Sequence, residues 1–462
     1  MGIILLEEVM EHKEFFLKTS IARLFFIAAI PGAISMLASA IFGLFDGIFI
    51  GNILGETAFA AINVAFPFVI ISFSLSDLVA VGSAVPISIA LGRQDEKEAN
   101  NIFTYALILI TCAGALMGLV LWFGAPIILA FLGASDEAQR LGVEYIRVYA
   151  FFSPISPAAF AFDNYLKISG KVKLSMWLNI GTSISTILLE FLFLFVFKWG
   201  IWSAALAPCI CFGTSALIAF ILFSLGKMQL KLTKPHFSLQ TTKKIIQCGM
   251  PIFLNNVSGR ITSIAMNKAL ITMGGDSAVA IYGIQMYVGE IIQPTIYGMC
   301  DSLQPAIGYN WGARRFDRVK KLTKWTFGAS AMVSIISFAM MWLIPETLVA
   351  LFTTTNDTAF LNEAVLALKI YAVSKLLFWF AFATQSYMTA IEKSLYATLI
   401  SVGAAFIFPM IFIFALYNLG LTGLWLNAPL TMLACCILSG IILILFSKEL
   451  KKIEEAEQIN LQ

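Results

Sequence analysis

AFPFVIISFSLSDLVAVGSAVPISIALGR (65–93) carries one ionisable side chain, Asp77, before the arginine that closes it. A bilayer-crossing helix needs ~20 apolar residues, and a helix satisfies its own backbone hydrogen bonds where no water is present. Barrel strands are ~10-residue alternating segments, whereas this run is continuous. It is therefore a membrane helix. Its end is written twice in the chain. PISIALGRQ from Pro86 resembles PAIGYNWGARR from Pro305, and Gly92 and Gly312 stand 220 positions apart.

Working outward at that offset, GETAFAAINV (55–64) matches GDSAVAIYGI (275–284), and Pro31 matches Pro251. RVYAF (147–151) answers KIYAV (369–373), Tyr165 answers Tyr387, and WGIWSAALAP ending at Pro208 parallels LGLTGLWLNAP ending at Pro429. Apolar runs fall near 21–45, 58–91, 102–131, 143–169, 173–197 and 201–225, then near 245–272, 279–308, 322–344, 364–391, 394–417 and 421–446. The expected fold is an all-α polytopic membrane protein with twelve transmembrane helices. They form two six-helix bundles related by a pseudo-two-fold axis along the membrane normal, as parallel transporter repeats are. The expected divisions are an N-terminal segment 1–20, bundles at 21–226 and 245–447, a linker 227–244 and a tail 448–462.

Composition agrees. The 462 residues are 59% apolar and 12% charged, against about 25% charged in soluble domains, which excludes an ordinary cytosolic enzyme. A net charge of +3 is too small to point to nucleic acid. The seven cysteines lie mostly inside apolar runs and form no disulfide framework. Glu7, Glu8, Glu11 and Glu14 are unlike the basic start of a secretory signal, so the first apolar run is read as a retained helix. No strand precedes a phosphate-binding loop, so nucleotide hydrolysis has no support.

Basic residues set the orientation. Lys13, Lys18, Arg23, Arg93, Lys97, Lys167, Lys171 and Lys173 fall on one side, joined by the linker lysines from Lys227 to Lys244. Arg314, Arg315, Arg318, Lys320, Lys321, Lys324, Lys393 and the tail lysines follow on that side, against Arg140, Arg147 and Lys198 opposite. The expectation is a plasma-membrane protein with both termini in the cytoplasm.

A charge inside the bilayer costs about 2.5–3.5 kcal/mol on insertion scales, so each needs a reason. At ~1.5 Å of rise per residue, Asp46 and Glu190 lie ~33 Å and ~26 Å from the basic ends of their helices, both toward the outer half. Thr186 shares the face of Glu190, one turn earlier. Two carboxylates in a poorly solvated pocket cannot both stay charged cheaply, so such a pair captures a proton or a hard cation. Asp77 and Asp163 lie nearer the basic ends. In the second half, Arg260 and Glu290 fall at comparable height on consecutive helices, as an ion pair or as substrate contacts. Lys375 is at middle depth; Lys268 and Lys369 snorkel.

Taken with the Pro31 start, FDGIFIGNILG around Asp46, VGSAVPISIALGR in the second crossing and QPAIGYNWGARRFDRVKK after the eighth, the chain resembles a multidrug and toxic compound extrusion (MATE) transporter. The likeness runs over residues 20–446. It implies export of amphipathic drugs or toxic organic compounds against protons or sodium, a bilayer-embedded monomer, and no cofactor, structural metal or enzymatic activity. The resemblance is nearer the DinF branch than the NorM branch. It implies a cation or proton coupling site of Asp46, Glu190 and Thr186, the last two standing where DinF-type members have aspartate and asparagine. Pro208 stands in place of a threonine. Hard cations want several oxygen donors, so these changes favour protons. The NorM-type glutamate is missing near Gly259, and Gln385 stands in the region of a NorM-type aspartate. The candidate substrate cavity is Arg260, Glu290, Asp163 and Gln385. The rival reading is a lipid-linked precursor flippase, whose anionic headgroup would suit Arg260, Lys268 and Lys375.

Overall fold

A computed structural model describes residues 12–54, 56–131, 135–226, 228–353 and 357–460. Part of the expected N-terminal segment (1–11), Lys227 and the last two residues lie outside the described residues. Every regular element described is helical, as lipid demands of a chain whose backbone must pair internally.

A short helix α1 (His12–Lys18) precedes the first crossing, α2 (Ile21–Phe49). Then come α3 (Glu56–Gly92), α4 (Glu96–Phe131), α5 (Asp136–Phe152), α6 (Ala158–Ile168), α7 (Val172–Phe191) and α8 (Ile201–Ser224). The second half holds α9 (Leu239–Gly312), α10 (Phe316–Leu343), the short α11 (Pro345–Ala350) and α12 (Thr358–Ala390). It ends with α13 (Ser394–Val402), α14 (Phe408–Ala415) and α15 (Gly420–Asn460). Nine helical spans among the described residues are long and apolar enough to cross a membrane. The remaining three crossings are the α5–α6 pair and the two arms of α9. Those arms meet at Gly275, whose φ of 63° and ψ of −155° leave the helical region, a conformation open to glycine for want of a Cβ.

Where one fourth crossing was expected, two helices stand. The break covers Ser153–Pro157, with Pro154 and Pro157 in it. Each proline lacks an N–H and disfavours a helical residue before it. The opened turn is held by side chains: Ser153 Oγ donates to Gly114 O at 2.5 Å, and Ser156 Oγ to Cys209 O at 3.2 Å. Three π turns, Ile50–Leu54, Leu192–Val196 and Gly403–Ile407, interrupt or extend crossings.

The chain divides into two compact units. The first is Met1–Val257 with Pro294–Trp325 and Ala390–Glu392; the second is Ser258–Gln293, Thr326–Thr389 and Lys393–Gln462. Compactness and the sequence repeat thus divide the chain differently, because the basic ends of the α9 arms pack with the first half. Helices cross backbone to backbone there. A Cβ on Gly92 would collide with the carbonyl oxygen of Tyr309, and one on Gly312 with that of Ile89. Tyr309 stands 220 positions after Ile89, so the α3–α9 crossing repeats its own geometry.

The core of the first unit gathers Ile50, Ala65, Leu121, Tyr145, Tyr149 and Cys209; that of the second gathers Leu270, Ile284, Leu368, Tyr371 and Trp425. Large apolar side chains such as Phe123, Ile127, Phe131 and Phe414 point outward. In water such a surface would drive association; against acyl chains it costs nothing.

Candidate functional site

Asp46 lies in the last turn of α2, just before the π turn Ile50–Leu54, and the N–H of Ile50 bonds back to the carbonyls of Asp46 and Gly47. Glu190 lies in the last turn of α7, just before the π turn Leu192–Val196. Extra-residue turns of this kind sit frequently at functional sites. The two carboxyl groups are immediate neighbours and act on each other as a pair. Glu190 is 0% exposed, and neither of its carboxylate oxygens receives a hydrogen bond from a donor among the described residues. Asp46 is half-buried, so Glu190 is the more enclosed member of the pair.

The walls are aromatic and sulfur-bearing. Tyr145 and Tyr149 are both buried on α5, with ring centroids 5.2 Å apart. The Tyr145 phenol lies in the field of both carboxyls, with Cys209 of α8 also close. Sequence reading missed these tyrosines. The signal was present, as residues four apart share one helix face, but nothing in the chain told which face meets α2 and α7. Thr186 is buried, yet its hydroxyl donates to Thr182 O at 2.7 Å and neighbours the Cys211 thiol; no bond among the described residues joins it to Glu190.

The other candidates separate. Asp163 was expected in a substrate cavity, but its oxygens accept from Lys167 Nζ at 2.6 Å, Ser175 Oγ at 2.5 Å and Asn179 Nδ2 at 2.7 Å. Lys167 is 4% exposed, so these bonds hold α6 against α7 and pair a buried ammonium with a half-buried carboxylate. Asp301 lies near that pair, with Gln304 donating to it at 3.1 Å, and Asp77 is close by.

In the second unit Arg260 and Glu290 are both exposed and form no ion pair with one another among the described residues. Equal height on neighbouring helices does not bring side chains together unless the faces agree. The cation near Glu290 is Lys375, 8% exposed, which donates to Gln293 Oε1. Its ammonium lies 4.8 Å from the ring centre of Tyr371 and 5.7 Å from that of Phe378. Such contacts steady a desolvated cation. Gln385 is half-buried on α12. No group of three or more His, Cys, Asp or Glu able to hold a metal occurs among the described residues.

Twelve apolar helical crossings in an internally repeated chain are the architecture of a membrane transporter. The MatE family model matches the chain twice, at residues 31–192 and 251–415, and the two matches begin 220 positions apart. The chain belongs to the MatE family, whose members are transporters and not enzymes. The multidrug export protein MepA of Staphylococcus aureus is 26% identical over 456 residues, covering 97% of this chain and 99% of its own length. MepA of Staphylococcus saprophyticus is 24% identical over 454 residues, covering 97% and 98%. Among solved structures, a MATE protein in complex with MaL6 superposes with a TM-score of 0.90 at 21% identity, covering 96% of this chain and 100% of that one. An outward-facing multidrug resistance MATE transporter gives 0.90 at 21%, covering 96% and 99%. The twelve-helix fold is shared.

Proposed function

We propose that the chain is a secondary antiporter that exports amphipathic drugs or other toxic organic compounds in exchange for protons, with Asp46 and Glu190 as the coupling site. The observation that carries this reading is the meeting of the two carboxyls, one fully buried and the other half-buried. At that spacing the pair holds a single negative charge far more cheaply than two, so it binds one proton when the accessible side is acidic. Ion binding drives a conformational change only through unequal affinity for two states. A pocket whose aqueous access changes as helices move supplies that inequality. Sodium is the rival ion. Pro208 argues against it, since it offers no side-chain oxygen where a hard cation would want a donor.

The basic face is taken as cytoplasmic, both termini included, and one chain holds every residue this reading uses. The likeness to MepA supports drugs as cargo. Ethidium uptake into inverted vesicles, driven by an imposed proton gradient, tests the assignment. Asp46→Asn or Glu190→Gln should each lower the gradient-driven rate at least tenfold at equal protein level. Uptake at the unsubstituted rate in both variants rejects the coupling site.

A further inference from the structure

The segments that precede the two repeats are both strapped across the basic face of the first unit. Helix α1 buries Phe15 and Phe16. The Phe16 ring packs on that of Tyr309 with centroids 5.2 Å apart, and Phe15 lies against Gly170 in the turn between α6 and α7. A helix leaves its last carbonyls without internal partners, and here the other repeat supplies them. Arg318 Nη2 donates to Phe16 O at 3.1 Å and to Thr19 O at 2.6 Å. Asn310 Nδ2 donates to Phe16 O at 3.1 Å, and Arg318 Nε to Asn310 Oδ1 at 2.9 Å, which fixes the guanidinium.

The segment before the second repeat is held in the mirrored way. Asn100 Oδ1 accepts from Lys231 N at 2.8 Å, Thr104 Oγ1 from Thr233 N at 3.0 Å, and Asn101 Oδ1 from His236 N at 2.6 Å. Asn101 Nδ2 also donates to His236 O at 3.4 Å. His236 stands 220 positions after Phe16, so equivalent carbonyls are gripped, each by the opposite repeat. Both straps reach Tyr309: the Phe16 ring packs against its ring at a tilt, and Gln229 Nε2 of the linker donates to its hydroxyl at 3.3 Å. Tyr309 is also the residue whose carbonyl abuts Gly92 at the α3–α9 crossing.

We propose that these two cross-repeat straps are latches that hold the α3–α9 crossing shut on the basic face, and that opening of this face requires both to release. Each side-chain-to-backbone hydrogen bond is modest on balance, because water offers both partners an alternative when it breaks. Such a latch therefore opens reversibly while its geometry fixes the closed position. The proposal rests on the transport reading only in calling the opening a step of the cycle; its test uses neither substrate nor gradient.

Ser88 is buried at the crossing, where a Cβ on Gly308 would lie 3.1 Å from its own Cβ, and it serves as the reporter. Ser88→Cys in a background without the native cysteines is labelled with a membrane-impermeant maleimide, in right-side-out and in inverted vesicles. Arg318→Ala with Asn310→Ala should raise the labelling rate at least tenfold from the basic face and leave it unchanged from the other. Phe16→Ala, which alters no polar group, should shift it in the same direction, as should Asn101→Ala with Thr104→Ala. Unchanged rates in all three, or an equal rise from both faces, overturn the proposal. If the cysteine-free chain does not fold, hydrogen exchange of residues 84–92 and 304–312 in variants with native cysteines decides it. Faster exchange confined to these backbones supports the latches, and unchanged or general exchange removes them.

Discussion

Asp46 and Glu190 show what a single residue in a membrane protein discloses. A carboxylate amid ILL and FLFLF has no cheap reason to be there, so both were legible as candidates. Their depth also placed both toward the outer half, where one pocket could hold them; that the side chains turn to each other depends on where the last turns of α2 and α7 lie and on the two π turns beside them. The pairing carries a pH prediction with a definite sign. If the pair must be protonated from the outer side to reset the transporter, export falls as the outer pH rises. With Glu190→Gln that dependence should flatten, measured as initial ethidium efflux against outer pH at fixed inner pH. Tyr145→Phe keeps the ring and removes the phenol that lies in the field of both carboxyls. It should cut gradient-driven transport several-fold while leaving the amount of folded protein unchanged, and a full rate would remove the tyrosine from the site. At the same scale the expected Arg260–Glu290 pair did not form, since sequence gives depth along a helix but not rotation about it.

At the scale of elements, apolar run length located the crossings closely, and helix ends extend beyond the runs because polar residues continue the same hydrogen-bonding pattern outside the hydrocarbon. The prolines divided into two kinds. Pro31, Pro86 and Pro208 stay inside helices, whereas Pro154 and Pro157 open a break whose groups Ser153 and Ser156 satisfy. No rule of local propensity separates these cases; the availability of a neighbouring carbonyl does. The glycine crossing gives a stability prediction. Gly312→Ala places a Cβ against the Ile89 carbonyl, which a rigid backbone cannot avoid without parting the helices. A loss of about 1–3 kcal/mol is expected, read as a lower thermal midpoint in detergent, and Gly181→Ala, where a Cβ meets open space, should leave the midpoint within a degree or two.

For the whole molecule the ion is the decisive question. An imposed proton gradient without sodium should sustain ethidium uptake into inverted vesicles, and a sodium gradient at equal pH on both sides should not. Sodium-driven uptake at the proton-driven rate would replace the coupling ion while leaving the carboxyl pair in place. The sequence by itself determined that this chain lives in the bilayer, that it is a duplicated helical protein, and which few charges are stranded in lipid. Those facts follow from transfer free energies and from self-similarity, both of which are local to the string of residues. Only the tertiary structure decided which charges meet, that Asp163 is spoken for by Lys167, Ser175 and Asn179, and that Arg318 and Asn101 reach across to the opposite repeat. Such pairings join residues distant in sequence, and they are set by helix rotation and crossing geometry, which the hydrophobic pattern of a lipid-exposed helix hardly constrains because so much of its circumference is apolar.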